Sequence, residues 1–209
     1  MGRFIVIVKN IADEITAVIL ALTALILIIG IRIPKSEPFN RSHFEDVTGN
    51  MRFSDVYSIR ESDWISSQTV NTTLGMSESA FWFKIIVNNP DSNPKEKVIE
   101  IPYPVLDQID FYHVVNDSLV NGYVTGDSYI FSGRPENGRL FTFDLRLPPG
   151  SVSKIFFRIK TQSDMNVPII LLSKENYETY EELRLMFVGA FIGIFLIMIL
   201  YNFFLHLYT

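Results

Sequence analysis

The segment Phe141-Thr142-Phe143-Asp144-Leu145-Arg146-Leu147, followed by Pro148-Pro149-Gly150, decides the fold class of this chain. Apolar and polar side chains alternate along its first part, which is the period of a β-strand with one buried face. The two prolines and the glycine must end the strand, because proline has no backbone N–H to donate to a sheet. One strand of this kind is stable only beside others, so the segment predicts a sheet-based domain.

Short segments with similar alternation occur on both sides of this strand. They are residues 81–87, 98–101, 109–114, 119–124, 155–159 and 168–172. Turn-forming residues separate them, most clearly at 88–94, 116–117 and 126–127. About seven or eight strands at this spacing predict an antiparallel sandwich or barrel. Helical periodicity begins only at Glu175.

Two hydrophobic runs flank this β region. Ile15–Ile31 carries no charged residue, and Leu185–Tyr208 carries none apart from the histidine His206. A helix needs about 20 predominantly apolar residues to cross a bilayer, so both runs are predicted to be membrane helices. The first run is either a retained signal anchor or a signal peptide that is removed, and its length favours the anchor. Because no basic residue follows the second run, we expect the chain to be a piece of a longer protein.

These features divide the chain into five predicted parts. Residues 1–31 are the signal anchor or signal peptide, 32–42 a linker, 43–175 the β-sandwich domain, 176–184 a helical stalk and 185–208 a membrane helix. The simplest topology for a leading hydrophobic run places the N-terminus inside the cell and the β domain outside.

The composition argues against several classes of function. The formal net charge of −5 disfavours nucleic acid as a partner, because phosphate binding requires clustered basic residues. The chain has no cysteine, and its three histidines lie far apart in sequence, so no metal site is predicted. Asp107 and Asp110 are interpreted as surface residues beside a turn, since their spacing along a strand puts them on opposite faces. We predict neither catalytic residues nor a bound cofactor.

Aromatic and arginine side chains in the β region suggest a site for a small ligand. The chain has 17 Phe, 9 Tyr and 2 Trp residues. Trp82 lies between two strand positions that face the core, so its own side chain must face a second layer or a ligand. Tyr112 belongs to a group of tyrosines in the middle of the domain, and Arg134 and Arg139 lie in a loop before the strongest strand. Sugar-like ligands are bound by apolar walls with a few polar groups, so these four residues are the predicted ligand contacts, with core packing or an exposed surface as the alternative for each.

Several ordered motifs in the middle region occur together in one known family. They are Leu74–Lys84 (LGMSESAFWFK), Glu100–Tyr112 (EIPYPVLDQIDFY), Thr125–Asp127 (TGD), Phe131–Pro135 (FSGRP), Phe141–Leu145 (FTFDL) and Leu147–Gly150 (LPPG). With them the chain resembles the type-2 extracellular sensor domain of bacterial seven-transmembrane receptors with diverse intracellular signalling modules. The resemblance covers residues 43–173. Residues 185–208, with LYNFFL at 200–205, resemble the first of the family's seven membrane helices.

The resemblance implies a jelly-roll β-sandwich similar to carbohydrate-binding modules. The expected fold class is therefore an all-β ectodomain flanked by two transmembrane helices. The implied location is the bacterial cytoplasmic (inner) membrane, with the central domain in the periplasm or outside the cell. In the family a histidine kinase, a diguanylate cyclase or a related output module follows the seven helices. This chain contains one of those helices and no output module, so we do not expect it to be an enzyme.

Two functions remain open from the sequence. The first is a periplasmic sensory domain of a signal-transduction receptor that binds a small molecule, with carbohydrate the expected class, and relays binding to the membrane helix. The second is an ectodomain that docks another protein or forms a homodimer without a small ligand.

Overall fold

The computed structural model describes residues 20, 23–24, 35–67, 71–130 and 140–208. The prediction for the hydrophobic run at 15–31 falls almost entirely outside these residues, and those for Arg134 and Arg139 fall wholly outside them. Residues 35–174 form one compact unit, described here by itself.

The described residues contain eleven β-strands, two α-helices and one 3-10 helix. The strands are β1 (Asn40–Asp46), β2 (Ile65–Ser67), β3 (Asn71–Thr73), β4 (Ala80–Asn89), β5 (Lys95–Ile101), β6 (Gln108–Val115), β7 (Ser118–Thr125), β8 (Phe141–Leu147), β9 (Ser151–Lys160), β10 (Asn166–Pro168) and β11 (Ile170–Ser173). The helices are α1 (Phe53–Tyr57), the 3-10 helix Glu61–Asp63 and α2 (Lys174–Tyr208).

The strands form a sandwich of antiparallel sheets, which confirms the predicted fold class. A six-stranded sheet has the order β2-β1-β4-β9-β6-β7, and a three-stranded sheet has the order β11-β5-β8. A two-stranded sheet pairs β10 with β3. The main core lies between the two larger sheets, where Phe143 of β8 contacts Phe111 of β6 and Phe157 of β9 at ring-centroid distances of 4.9 and 4.8 Å. The alternation that begins at Phe141 therefore places one face of β8 in the core.

The structure contains more elements than the sequence pattern predicts. β1 begins at Asn40, inside the predicted linker 32–42, and its apolar pattern is hidden because the polar residues Arg41 and Asp46 are buried. β2 and β3 have three residues each, too few to show a period. The predicted strand 168–172 is two strands in different sheets, with a break at Ile169.

Residues 47–64 form a strap over the outer face of the six-stranded sheet, the face turned away from the main core. The strap contains α1 and the 3-10 helix, neither of which the sequence pattern predicts. Val56 and Trp64 of the strap pack on Trp82, Val114 and Phe156 of the sheet and form a second, smaller apolar cluster. A five-residue helix is too short to be stable alone, so this packing must stabilise it.

Two charged side chains fix the start of the strap. The Asp46 carboxylate accepts hydrogen bonds from Thr48 Oγ1 at 2.7 Å, Gly49 N at 3.0 Å and Met51 N at 2.9 Å. Arg158 of β9 donates to the Gly49 carbonyl oxygen at 2.6 Å. Burial raises the pKa of Asp46, but the hydrogen bonds to its carboxylate outweigh burial and the pKa is lowered overall.

Helix α2 runs without a break from Lys174 to Tyr208. The predicted stalk 176–184 and the predicted span 185–208 are therefore parts of a single helix. Among the described residues it is the one helix long and apolar enough to cross a membrane. Asn202, the polar side chain in its apolar part, donates from Nδ2 to the Met198 carbonyl oxygen at 2.8 Å.

Two of the quoted motifs meet at Gly126, which has φ +142°. The amide of Asp127 donates to the Leu106 carbonyl oxygen at 2.8 Å, and the amide of Ser128 to that of Asp107 at 3.1 Å. A Cβ atom on Gly126 would lie 2.1 Å from the carbonyl oxygen of Asp107. The backbone of the TGD motif can approach the preceding turn this closely only if residue 126 has no side chain.

Replacing Gly126 with alanine should therefore lower the free energy of unfolding by about 3 kcal/mol or more, because backbone must move to relieve the clash. The matched control is Gly150→Ala, where φ is +61° but no atom lies within 4 Å of the added Cβ. This control should lose about 1–2 kcal/mol from backbone strain alone. Urea denaturation followed by far-UV circular dichroism measures both, and equal losses would contradict the role given to the Asp107 contact.

The lowered pKa of Asp46 predicts a pH-dependent contribution to stability. Because the pKa is lower in the folded than in the unfolded state, the contribution is present above the unfolded value, about 3.9, and is lost as the pH falls through the folded value. At pH 7, Asp46→Asn should lower the free energy of unfolding by about 1–3 kcal/mol. The difference from the parent protein should shrink as unfolding is measured at progressively lower pH.

The control for Asp46 is Asp164→Asn, a change at an exposed aspartate. It should alter stability little at any pH. A difference between parent and Asp46→Asn that stays constant from pH 7 to acid would contradict the linkage.

Candidate functional site

A cleft of about 260 Å³ opens between the strap and the outer face of the six-stranded sheet. We call it the strap cleft. Its lining comes from three places: the strap (Val56, Tyr57, Ile59, Glu61 and Trp64), the sheet (Lys84, Ile86, Lys154 and Phe156) and the turn between β6 and β7 (Asp117).

The turn between β6 and β7 carries Asp117 to the mouth of the strap cleft. Asn116 and Asp117 have φ values of 46° and 64°, so the loop is a tight hairpin turn of two residues with left-handed conformations. The sequence predicts this turn, because asparagine and aspartate tolerate positive φ better than other side chains. Asp117 Oδ1 accepts hydrogen bonds from Tyr57 Oη and Lys154 Nζ, both at 2.7 Å.

The hydrogen bonds among these three side chains shift the pKa of each one. The hydrogen bond to Asp117 is the main cause that raises the pKa of the Tyr57 hydroxyl. The hydrogen bond from Lys154 is the main cause that lowers the pKa of Asp117, and the same bond raises the pKa of Lys154. At neutral pH this wall of the cleft therefore presents a neutral phenol, a carboxylate and an ammonium group.

The lining of the cleft contains a second charged pair. Lys84 Nζ lies 2.7 Å from Glu61 Oε2 and 4.3 Å from the centre of the Trp64 ring. The Lys84 side chain is 6% exposed, whereas that of Glu61 is 79% exposed. Lys84 lies on β4 between Phe83 and Ile85, which face the main core, so the alternation of the strand turns its side chain outward to the cleft.

Aromatic rings supply the apolar part of the strap cleft. Phe156 of β9 lies between the rings of Trp64 and Tyr57, at centroid distances of 6.1 and 5.9 Å. Rings beside charged donors and acceptors suit a small polar ligand with apolar faces. Among the residues that the structure describes, no group of three or more histidines and carboxylates could hold a metal ion.

The structure brings two of the four predicted ligand contacts together beneath the strap. Trp82 and Tyr112 lie with ring centroids 6.0 Å apart, and Tyr112 stacks on Phe53 of α1 at 4.4 Å. Trp82 is 0% exposed. A ligand in the cleft therefore cannot contact Trp82 directly unless the strap is displaced. Tyr112 is half-buried at the edge of the same cluster.

The structure corrects the interpretation of Asp110 and explains His113. Asp110 is buried, not on the surface, and its carboxylate pairs with Arg158 at 3.2 Å. His113 is buried as well, with its Nε2 atom 3.2 Å from Ser153 Oγ. Burial lowers the pKa of His113, which favours its neutral form.

Sequence reasoning missed the charged residues of the strap cleft. Lys84 and Lys154 interrupt apolar strands. Lys84 is two residues from Trp82, and Lys154 is two residues from Phe156, so each lysine shares a strand face with an aromatic residue. A lysine beside an aromatic residue on the same strand face is the signal that could have located this second buried layer. Tyr57 and Trp64 gave no such signal, since they belong to short irregular elements without a period.

Residues 40–173 match the protein family described as 7TMR-DISM extracellular 2. No curated protein matches the chain. Among solved structures, similarity extends to an exo-β-1,3-galactanase from Phanerochaete chrysosporium with galactose (15% identity, TM-score 0.27, 49% of this chain). The chain spans only 26% of that galactanase.

Two smaller proteins are also similar to part of the chain. One is a family 35 carbohydrate-binding module from an environmental isolate, with 12% identity, a TM-score of 0.27 and coverage of 48% of this chain and 68% of that one. The other is the C-terminal CBM6 of a marine laminarinase from Zobellia galactanivorans, with 11% identity, a TM-score of 0.29 and coverage of 51% and 90%. Scores this low support no inference about a ligand.

The family match covers the strands of the sandwich from β1 to β11 and more than half of the chain. The protein therefore belongs to the 7TMR-DISM extracellular 2 family, the type-2 extracellular sensor domain of seven-transmembrane receptors with diverse intracellular signalling modules.

Proposed function

We propose that this chain is the sensory part of a receptor in the bacterial cytoplasmic membrane, with its β domain in the periplasm. The domain binds a small ligand, a carbohydrate, in the strap cleft and passes the effect of binding to helix α2. The observation that carries the proposal is the composition of the cleft, which combines three aromatic rings with two ammonium and two carboxylate groups. Sugars present apolar ring faces and hydroxyl groups together, and this lining complements both.

Strand pairing, hydrogen bonds and the chain itself connect the strap cleft to the start of α2. Ile86 lines the cleft on β4 and pairs with Asn40 at the start of β1. Just before β1, the amide of Glu37 donates to the Leu171 carbonyl oxygen at 2.8 Å, and the Leu171 amide donates to Ser36 Oγ at 3.0 Å. Leu171 belongs to β11, and α2 follows β11 directly.

This arrangement supports the relay from the cleft to the membrane helix. Both ends of the β domain, the segment before β1 and the beginning of α2, are attached to β11. A ligand can shift the conformation of β11 only as far as its affinities for the two conformations differ.

Binding of sugars should depend on Tyr57, which lies at the cleft and is only partly buried. Tyr57→Ala should weaken binding by about two- to tenfold, because one aromatic contact contributes about 0.5–1.5 kcal/mol. Isothermal titration of the full chain in lipid nanodiscs against a panel of mono- and disaccharides measures the change. Arg146→Ala, an exposed change on the other sheet, is the control and should leave affinity unaltered. A panel in which no sugar binds or raises the melting temperature would contradict the proposal.

The edge strand β7 favours a second candidate function, a homodimer interface. β7 ends the order of the six-stranded sheet and exposes Leu119, Val120 and Val124 by 54, 57 and 44%. Exposed apolar residues on an edge strand are a template for pairing with another chain.

If β7 forms the interface, Val120→Lys should convert a dimer of the full chain to a monomer in sedimentation velocity, because a charge on the edge strand prevents pairing. Lys160→Glu, an exposed charge change on β9, is the control and should leave the dimer intact. A protein that sediments as a monomer before any substitution would exclude this candidate.

A further inference from the structure

We propose that the ligand of the strap cleft is an acidic sugar with one carboxylate, and that this carboxylate replaces Glu61 as the partner of Lys84. The inference rests on the proposed function and specifies its ligand class.

Lys84 is a nearly buried cation with unused donors. Its side chain is 6% exposed and lines the cleft, and its Nζ atom makes one hydrogen bond among the described residues, the 2.7 Å contact with Glu61. An ammonium group has three N–H donors. The face of the Trp64 ring, 4.3 Å away, stabilises the charge but accepts no strong hydrogen bond. Lys84 therefore has the capacity to bind further oxygen atoms on the cleft side.

Glu61 is a partner that can be exchanged at little cost. Its side chain is 79% exposed and belongs to a 3-10 helix of three residues. At this exposure most of the carboxylate's hydration persists, so Glu61 loses little when it leaves Lys84. A ligand carboxylate would give Lys84 the same charge-assisted hydrogen bond, while Glu61 would return to water.

The other charged pairs of this face are not exchangeable in the same way. Arg158 and Asp110 are each 11% exposed, and Arg158 also holds the Gly49 carbonyl oxygen. Asp117 is fixed by a tight turn and by two hydrogen bonds, from Tyr57 and Lys154. Of these three pairs, the Lys84 pair is the one that joins a nearly buried cation to a solvated anion.

The other charged pair of the cleft favours a ligand with a single negative charge. Asp117 keeps its carboxylate ionised at neutral pH, because the hydrogen bond from Lys154 lowers its pKa. A second anionic group on the ligand would meet only Lys154, a cation that Asp117 already neutralises, whereas hydroxyl groups could donate to Asp117. The cleft volume of about 260 Å³ lies slightly below the usual range of ligand sites, so the cleft suits a single sugar ring. A hexuronate, which has one carboxylate and several hydroxyl groups, meets all three conditions.

The test compares D-galacturonate with D-galactose, which differ in the carboxylate, by isothermal titration on the full chain in nanodiscs. We expect the parent protein to bind galacturonate about tenfold more tightly than galactose, since only galacturonate can form a charge-assisted hydrogen bond with Lys84 and the bond to Glu61 that it replaces is offset by rehydration of Glu61. Glu61→Gln should raise the ratio of galacturonate to galactose affinity several-fold, because the internal competitor for Lys84 is weakened.

Lys84→Met should remove the preference for galacturonate, because methionine fills the space without the charge. Its circular dichroism spectrum and melting temperature show whether it folds. If it does not fold, Glu61→Gln still tests the exchange of partners, since a substitution at this exposed position should not disturb folding. The control is Glu96→Gln, an exposed change on β5 that should affect neither sugar.

The two proposals fail in different ways. If galactose and galacturonate bind equally and neither Glu61→Gln nor Lys84→Met changes their ratio, the acidic ligand is excluded while sugar binding in the cleft stands. If the Glu61→Gln variant binds galacturonate more weakly than the parent does, the exchange of partners is wrong. If neither sugar, and no other member of the panel, binds any variant, the proposed function fails together with the inference.

Discussion

The central strands of the six-stranded sheet are buried on both faces, and the rest of the domain depends on this. One face of β4, β6 and β9 packs against the three-stranded sheet through Phe83, Phe111 and Phe157. The other face packs against the strap through Trp82 and Phe156. Because side chains alternate along a strand, consecutive residues of each strand must pack into two different apolar layers. Buried charges such as Lys84 and Arg158 occur where the second layer meets polar groups of the strap.

The main core could be predicted from sequence because its residues alternate with polar ones on β8 and β9. The Asn116–Asp117 turn could be predicted as well, since its residue types tolerate the required backbone conformation. The strap could not be predicted in the same way. Its helices are too short for periodicity. On the sheet face beneath it, lysine and arginine side chains alternate with the core residues as on a solvated face, and Trp82 is the residue that indicates a second layer or a ligand. The predicted contacts Trp82 and Tyr112 lie in this hidden layer, next to a cleft whose polar residues come from segments without a recognisable pattern.

Three cation–carboxylate pairs on this face illustrate how exposure separates structural from exchangeable interactions. In Arg158–Asp110 both side chains are only 11% exposed, so loss of either would leave a largely buried charge without this partner. In Lys154–Asp117 the lysine is 35% and the aspartate 71% exposed, and a tight turn holds the aspartate in position. In Lys84–Glu61 the two partners differ most, with 6% and 79% exposure. The N–O distances in the three pairs are similar, but the free-energy cost of replacing one partner differs because the exposures differ.

The packing of the strap has a practical consequence for spectroscopy. The chain contains two tryptophans, Trp64 and Trp82. One lies on the strap and the other directly beneath it, and both belong to the same cluster. Indole emission depends on the polarity around the ring. The intrinsic fluorescence of the native chain therefore reports, without a label, whether the strap is packed on the sheet or separated from it. Red-shifted emission on addition of an effector would mean that water has reached this layer, and the change could be followed in real time in a membrane-embedded sample.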